Sequence, residues 1–401
     1  MKTIITLSYV CLFACFSVFT KLSQKEISTP CTSIHDKINL DESIRNEIEF
    51  TINKGLTWLG SQQNTDGSFQ QYPAITALVL TAFIRSPFHF TPFHPRIDAG
   101  YRFILYHVQS DGSICLKDDR LKNYNTAICL MALKDAHTRE FTIFIQNAEN
   151  YLLSSQFSEE NGYSIDSLAY GGLGYGEKTR GDLSNFQWGI EALQNSFTEN
   201  DIPLTAKEKI LRQKKEMFSQ RALLFLARCQ NLHTVNPEGY TSNDCGFMYE
   251  PGKSKAGGTR SYGTMTYAGL KSLLYAKVTK DDPRIVAAFK WVSSTYNIDS
   301  VPAMEVGSDG LYYYYHTMAK ALNAYGQELF TDAKGTEHTW RKELALQLIR
   351  HQKPEGYWVN DNPRWREDNP VLVTAYVILA LEEILNSSQS ASLLPPDILK
   401  K

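Results

Sequence analysis

Residues 54–69 read KGLTWLGSQQNTDGSF and residues 74–83 read AITALVLTAF. The first run has helical apolar spacing, stops at Gln63, turns at Asp66-Gly67 and gives way to a second, almost wholly apolar run rich in small residues. The same order returns near the other end. LIRHQKPEGYW (residues 348–358) carries Gln352, Gly356 and Trp358, and TAYVILALEEIL (residues 374–385) follows it. Between these two copies lie four more, led by residues 103–114, 151–163, 225–230 and 289–296. Gln63 to Gln109 is 46 residues and Gln109 to Gln156 is 47; later copies are longer because their turns carry insertions. The fifth copy lacks the Gln and leads into YYYYH, Tyr312 to His316.

A repeat of this length made of two helices cannot bury its apolar faces alone, so neighbouring copies must stack. Six helical hairpins can close into a ring of inner helices within a ring of outer ones. The expected fold is therefore all-α, an (α/α)6 toroid of six hairpin repeats forming one domain over residues 38–385, with a tail at 386–401.

The 401 residues include 43% hydrophobic ones, enough for a substantial core, and the net charge of −2 creates no field that would recruit a polyanion. No basic stripe with interleaved aromatics is present, so nucleic acid is not an expected partner. The amino terminus has Lys2, then an uncharged run over residues 3–20 before Lys21. Residues 1–20 read as an export signal or an anchor and 21–37 as a linker, placing the protein in the periplasm, at the cell envelope or outside the cell. Contact with a membrane is expected only through residues 1–20. Beyond that segment, Cys31, Cys115, Cys129, Cys229 and Cys245 are odd in number and show no metal-ligand spacing. Cys129 and Cys229 lie in apolar helical runs and read as small buried hydrophobes. No cofactor is expected.

Lys54-Gly55, Trp58-Leu59 and Gln63, with Gly67 and Phe69, resemble the Gln/Trp repeat of squalene and oxidosqualene cyclases, and Gln352, Gly356 and Trp358 repeat its end. The whole run of copies is similar to the terpenoid cyclase and protein prenyltransferase toroid. GGLGYG (residues 171–176) and residues 260–276 resemble secreted bacterial proteins with prenyltransferase and squalene oxidase repeats. The resemblance implies an (α/α)6 barrel around a central cavity that takes an isoprenoid or triterpenoid. It also implies an acidic motif, which here falls on Thr264, Met265, Thr266 and Tyr267, none of them a carboxylate. Polyene cyclisation needs a strong acid in a dry pocket, and a Thr hydroxyl cannot supply that proton. For the prenyltransferases it implies a zinc triad, of which Arg260 and Tyr262 replace two ligands and only His316 matches the third.

Residues at the starts of the inner helices should converge on one mouth of the barrel. His316, Tyr314, Arg260 and Tyr262 are the candidates for chemistry; Asn185, Gln187, Trp188, Tyr315 and Tyr376 are the candidates for substrate contact. Only about half of Tyr312 to Tyr315 can face inward on a helix, and Tyr314 and Tyr315 are preferred for their nearness to His316. Asp182 and Glu191 are the expected partners of Arg260, and residues 171–176 read as a flexible loop at the mouth.

Three functions fit these residues. One is a hydrophobic small-molecule site for an isoprenoid, binding or transforming it as a cyclase-like isomerase. Another is a polysaccharide lyase or glycosidase, with Arg260 and Asn185 on a uronate and His316 or Tyr314 moving the proton; hydrolysis would instead draw on Asp182, Glu191, Glu250 or Asp309. The third is a non-enzymatic envelope protein that holds a protein or glycan.

Overall fold

The structure, a computed structural model of the chain, describes residues 40–176, 180–194 and 206–386. Residues 1–39, and with them the export segment, the linker and Cys31, lie outside the described residues. The helices run α1 Glu42–Ser61, α2 Pro73–Arg85, α3 Pro95–Tyr106, α4 Lys122–Asp135, α5 Thr142–Ser154, α6 Leu183–Ala192, α7 Ala206–Cys229, α8 Gly263–Tyr275, α9 Pro283–Ser294, α10 Leu311–Tyr325, α11 Trp340–Arg350 and α12 Pro370–Leu385. A short antiparallel hairpin, β1 Leu329–Thr331 with β2 Glu337–Thr339, fills the turn between α10 and α11. Among the described residues no helix is long and apolar enough to cross a membrane.

The even-numbered helices pack side by side in the order α2, α4, α6, α8, α10, α12 and back to α2, closing an inner ring. The odd-numbered helices lie outside them. Sequence decides the assignment: α12 buries thirteen of its sixteen residues, whereas α9 buries only Ile285, Ala288, Trp291 and Val292. A helix wedged between ring neighbours and an outer partner must be apolar on nearly every side, and one with a solvent face needs a single stripe. The fold is the (α/α)6 toroid.

The repeated residues hold the ring. Gln63 donates Nε2 to the carbonyls of Gly67, in its own turn, and Arg96, at the start of the next outer helix (2.9 and 2.8 Å). Gln156 and Gln230 likewise reach Phe218 of α7 and Arg284 of α9, both at 2.9 Å. Gln352 reaches Thr51 of α1 at 3.0 Å, so the sixth hairpin grips the first. Trp58 of α1 packs against Tyr357 across the same seam, the rings tilted by 30° with centroids 4.8 Å apart. The turn glycines press on the same outer helices. Gly67 has φ +86° and a Cβ there would lie 2.3 Å from the Ala99 carbonyl; at Gly356, φ +108°, it would lie 2.6 Å from that of Lys54. Both positions exclude a side chain on backbone and space together.

A threonine near the start of each of four inner helices completes the turn. Thr76, Thr126, Thr266 and Thr374 accept the backbone N–H of Phe69, Ile114, Phe247 and Trp358 at 2.9 to 3.1 Å. These hydroxyls tie turn to helix and are not free for chemistry. Cys115, Cys129, Cys229 and Cys245 are free thiols, the first three buried.

Candidate functional site

Three layers of side chains from the inner helices succeed one another along the barrel. The first is aromatic and lies near the helix starts. Tyr124 of α4 and Tyr376 of α12 meet hydroxyl to hydroxyl at 3.0 Å. Tyr313 of α10 accepts the Gln187 amide of α6 at 2.8 Å and pairs with the Ser184 hydroxyl at 3.2 Å. Tyr313 and Tyr376 rings are 5.8 Å apart, and Trp188 lies 6.0 Å from Tyr124. Tyr124, Ser184 and Tyr313 are half-buried, whereas Gln187, Trp188 and Tyr376 are buried, so the exposed edge of this layer marks the mouth.

The second layer is His316. It is 1% exposed, lies between the rings of Trp188 and Tyr376 at 5.3 Å from each, and neither ring nitrogen has a hydrogen-bond partner. Burial first, then the Lys320 and Lys271 charges, push its pKa well below the usual value, so the imidazole is neutral.

The third layer is ionic and lies toward the helix ends. Glu191 of α6 is bonded by Lys271 of α8, at 2.6 Å, and by Lys320 of α10. Burial works to raise the Glu191 pKa, and the two lysine charges outweigh it and hold the carboxyl well below its ordinary range. Burial pushes the Lys271 ammonium down to about 8 against the pull of Glu191, and the Lys320 charge adds to the lowering. On the other half of the ring, Arg85 of α2 joins Asp135 of α4 at 3.0 Å and Glu383 of α12 at 3.5 Å. Asn323 of α10 donates to Glu383 at 2.6 Å and links the two triads, so all six inner helices are tied together here. Glu382 beside them is buried with both oxygens unpartnered, and burial raises it well above the usual carboxylate range.

The structure sorts the predicted residues into groups. Gln187, Trp188, His316 and Tyr376 come together at the axis, with Tyr262 buried close by at the start of α8. Asn185 is beside them; its amide nitrogen donates to Asp182, 2.8 Å away, and its amide oxygen is buried without a partner. Tyr314 and Tyr315 point the other way: their hydroxyls donate to the carbonyls of Asn297 and Ile298 beyond α9, at 2.8 and 2.6 Å. Tyr313 is the inward tyrosine. Arg260 is exposed and donates to the Ala256 carbonyl, apart from both expected partners. Asp182 caps α6 by accepting the Asn185 N–H at 3.0 Å. Residues 171–176 are hydrogen-bonded to neighbouring segments of the chain: the Gly171 N–H donates to Phe157 at 2.7 Å and the Tyr175 carbonyl accepts from Asn123 at 3.1 Å.

Of the other loop-side acids, Glu250 pairs with Arg180 at 3.0 Å and Asp309 with Arg364. Glu367 accepts the first N–H groups of α10, Tyr312 at 3.2 Å and Tyr313 at 2.7 Å. Burial raises the Glu367 carboxyl to about 7 and the Asp182 carboxyl to about 6. Among the described residues no group of three or more His, Cys, Asp or Glu side chains could hold a metal ion.

Sequence reasoning missed Tyr124, Tyr313, Lys271 and Lys320. Tyr313, His316 and Lys320 stand at i, i+3 and i+7, and Gln187 and Glu191 at i and i+4; polar residues at that spacing inside apolar helices mark one inward stripe.

No protein-family model and no curated protein matches the chain. Among solved structures the chain is similar to MstE, a type II terpene cyclase from Scytonema. The apo enzyme is 14% identical over 87% of this chain and 99% of its own, with a TM-score of 0.51. A variant in complex with its product merosterolic acid A is 13% identical over 86% and 99%, with a TM-score of 0.52. A glycosidase in complex with glucose is 14% identical over 89% and 100%, with a TM-score of 0.45. At these identities the likeness to the cyclase is one of fold.

Proposed function

We propose that the protein is an exported toroid that binds a hydrophobic small molecule of the isoprenoid class at the aromatic mouth of its barrel. The observation that carries this reading is the convergence of Tyr124, Trp188, Tyr313 and Tyr376 around the axis, with Tyr124 and Tyr313 still half-buried. Aromatic faces favour apolar chains and cations alike. The fold shared with a terpene cyclase supports it, as does the apolar run at residues 3–20 for export.

Proton-initiated cyclisation is not part of the proposal. Thr266 is committed to the Phe247 N–H, and the acids nearest the mouth, Asp182 and Glu367, are committed as helix caps. Their pKa values are raised by burial, the reverse of what a strong acid needs. The sugar-lyase reading draws less support, because Arg260 and Asn185 do not converge on one anion.

Native mass spectrometry with solvent extraction on protein from its own cell envelope tests the proposal. A bound prenyl or triterpenoid species is expected. An empty protein that also fails to bind a fluorescent farnesyl probe would remove the reading.

A further inference from the structure

Among the buried polar atoms of the inner helices that have no partner are Trp188 Nε1, Gln187 Oε1, and Nδ1 and Nε2 of His316. These four occupy one patch. Trp188 stacks on His316 at 5.3 Å and on Tyr313 at 6.3 Å, and Gln187 is bonded to that same Tyr313. All three residues are 1% exposed. Each buried polar group left unpaired costs about 1–3 kcal/mol, so a cluster of them is a poor structural solution unless something pairs with it.

Their chemistry defines the missing partner. The indole N–H only donates, the Gln oxygen only accepts, and a neutral imidazole does one of each. A hydrocarbon would satisfy none of them. An anion would leave the Gln187 oxygen facing negative charge, and the two lysines below are already held by Glu191. A hydroxyl group both donates and accepts. The Tyr124–Tyr376 hydroxyl pair lies at the mouth edge of this patch, with the Tyr376 ring against His316.

We infer that Gln187, Trp188 and His316 form a site for the hydroxyl of a neutral alcohol or phenol, reached from the mouth past the Tyr124–Tyr376 pair. The inference rests on the isoprenoid-binding reading for the rest of the ligand and narrows it to a hydroxylated one.

Displacement of a fluorescent farnesyl probe by farnesol, farnesyl methyl ether, farnesene and farnesyl diphosphate tests it. Farnesol is expected to bind about tenfold more tightly than each of the others, the worth of one further hydrogen bond. In His316→Phe, which keeps a stacking ring and removes both nitrogens, that preference should vanish while farnesene binding persists. Removing unpaired polar atoms should leave the unfolding midpoint of His316→Phe at or above that of the parent. Equal affinity for all four compounds would overturn the hydroxyl site and leave isoprenoid binding standing.

A second measurement does not depend on prenyl binding. The indole N–H resonance of Trp188, identified by its loss in Trp188→Phe, is expected to shift when phenol or 1-octanol is added, and not in His316→Phe. No shift with either alcohol would overturn the site, even where no farnesyl compound binds.

Discussion

Gln352 and Thr51 are 301 residues apart in sequence and joined by a 3.0 Å hydrogen bond, the link by which the last hairpin closes on the first. The same Gln352 amide also donates to Gly356 in its own turn, at 2.9 Å. Gln109 has no such reach, since both of its bonds, to His107 and Cys115, stay within its own turn. Gln352→Ala and Gln109→Ala should each cost about 1–3 kcal/mol. Hydrogen exchange should separate them: faster exchange spreading into α1 for Gln352→Ala, and confined to the second turn for Gln109→Ala. Matching exchange patterns would show that the closing bond is not coupled to α1.

The Glu191 triad makes a sharper claim about stability. Glu191→Gln leaves two buried ammonium groups facing each other and is expected to cost about 3–5 kcal/mol. Replacing Glu191, Lys271 and Lys320 together by Met should cost far less, because no charge of this triad is then left unpaired. Urea denaturation of the two variants decides it. A triple variant as unstable as the single one would mean that the ion pairs contribute net stability.

Stability should also respond to pH through Glu367. Its carboxyl is raised from 4.5 to about 7 by burial, so between these values the folded chain holds a proton that the unfolded chain releases. Stability from this group is therefore present at low pH and lost as pH rises through that window. Glu367→Gln, neutral throughout and still able to accept from Tyr313, should show a flatter dependence of urea midpoint on pH from about 4.5 to 7. Parallel curves for the two proteins would refute the assignment.

Tyr313 and Tyr314 are adjacent and should behave oppositely. Tyr313→Phe removes the hydroxyl that holds Gln187 at the mouth and is expected to change probe affinity severalfold, with a loss of about 1–3 kcal/mol for the buried amide left unpaired. Tyr314→Phe removes a bond to the Asn297 carbonyl, costs about 1–2 kcal/mol, and should leave probe affinity unchanged. The reverse pattern would place the binding face on the other side of α10.

The toroid was legible because its signal is local and repeated. Gln63, Gln156, Gln230 and Gln352 do the same work in each turn, and Gly67 and Gly356 do too. Within residues 312–316 alone the inward face of α10 was not legible, because its phase is fixed from outside that run. Gly310 at φ +66°, packed under Trp365, starts it, and Glu367 receives its first N–H groups. No spacing within residues 312–316 encodes those contacts. The ionic layer lay between these cases. The stripe Tyr313, His316, Lys320 could be read from helical spacing, but its pairing with Glu191, 129 residues earlier, required the closed ring.

Closure of the ring also bears on where the chain can be cut. Lys342 approaches Asp41, ahead of α1, at 3.8 Å, while the neighbouring Arg341 binds the carbonyls of Glu383 and Ile384 at the end of α12. The start of the first hairpin and the end of the sixth therefore meet at one turn of α11. A short linker joining residues 41 and 386, with new termini opened in any other inter-hairpin turn, should give circular permutants with the same barrel. Which hairpin is translated first is an accident of numbering, and the six are topologically interchangeable.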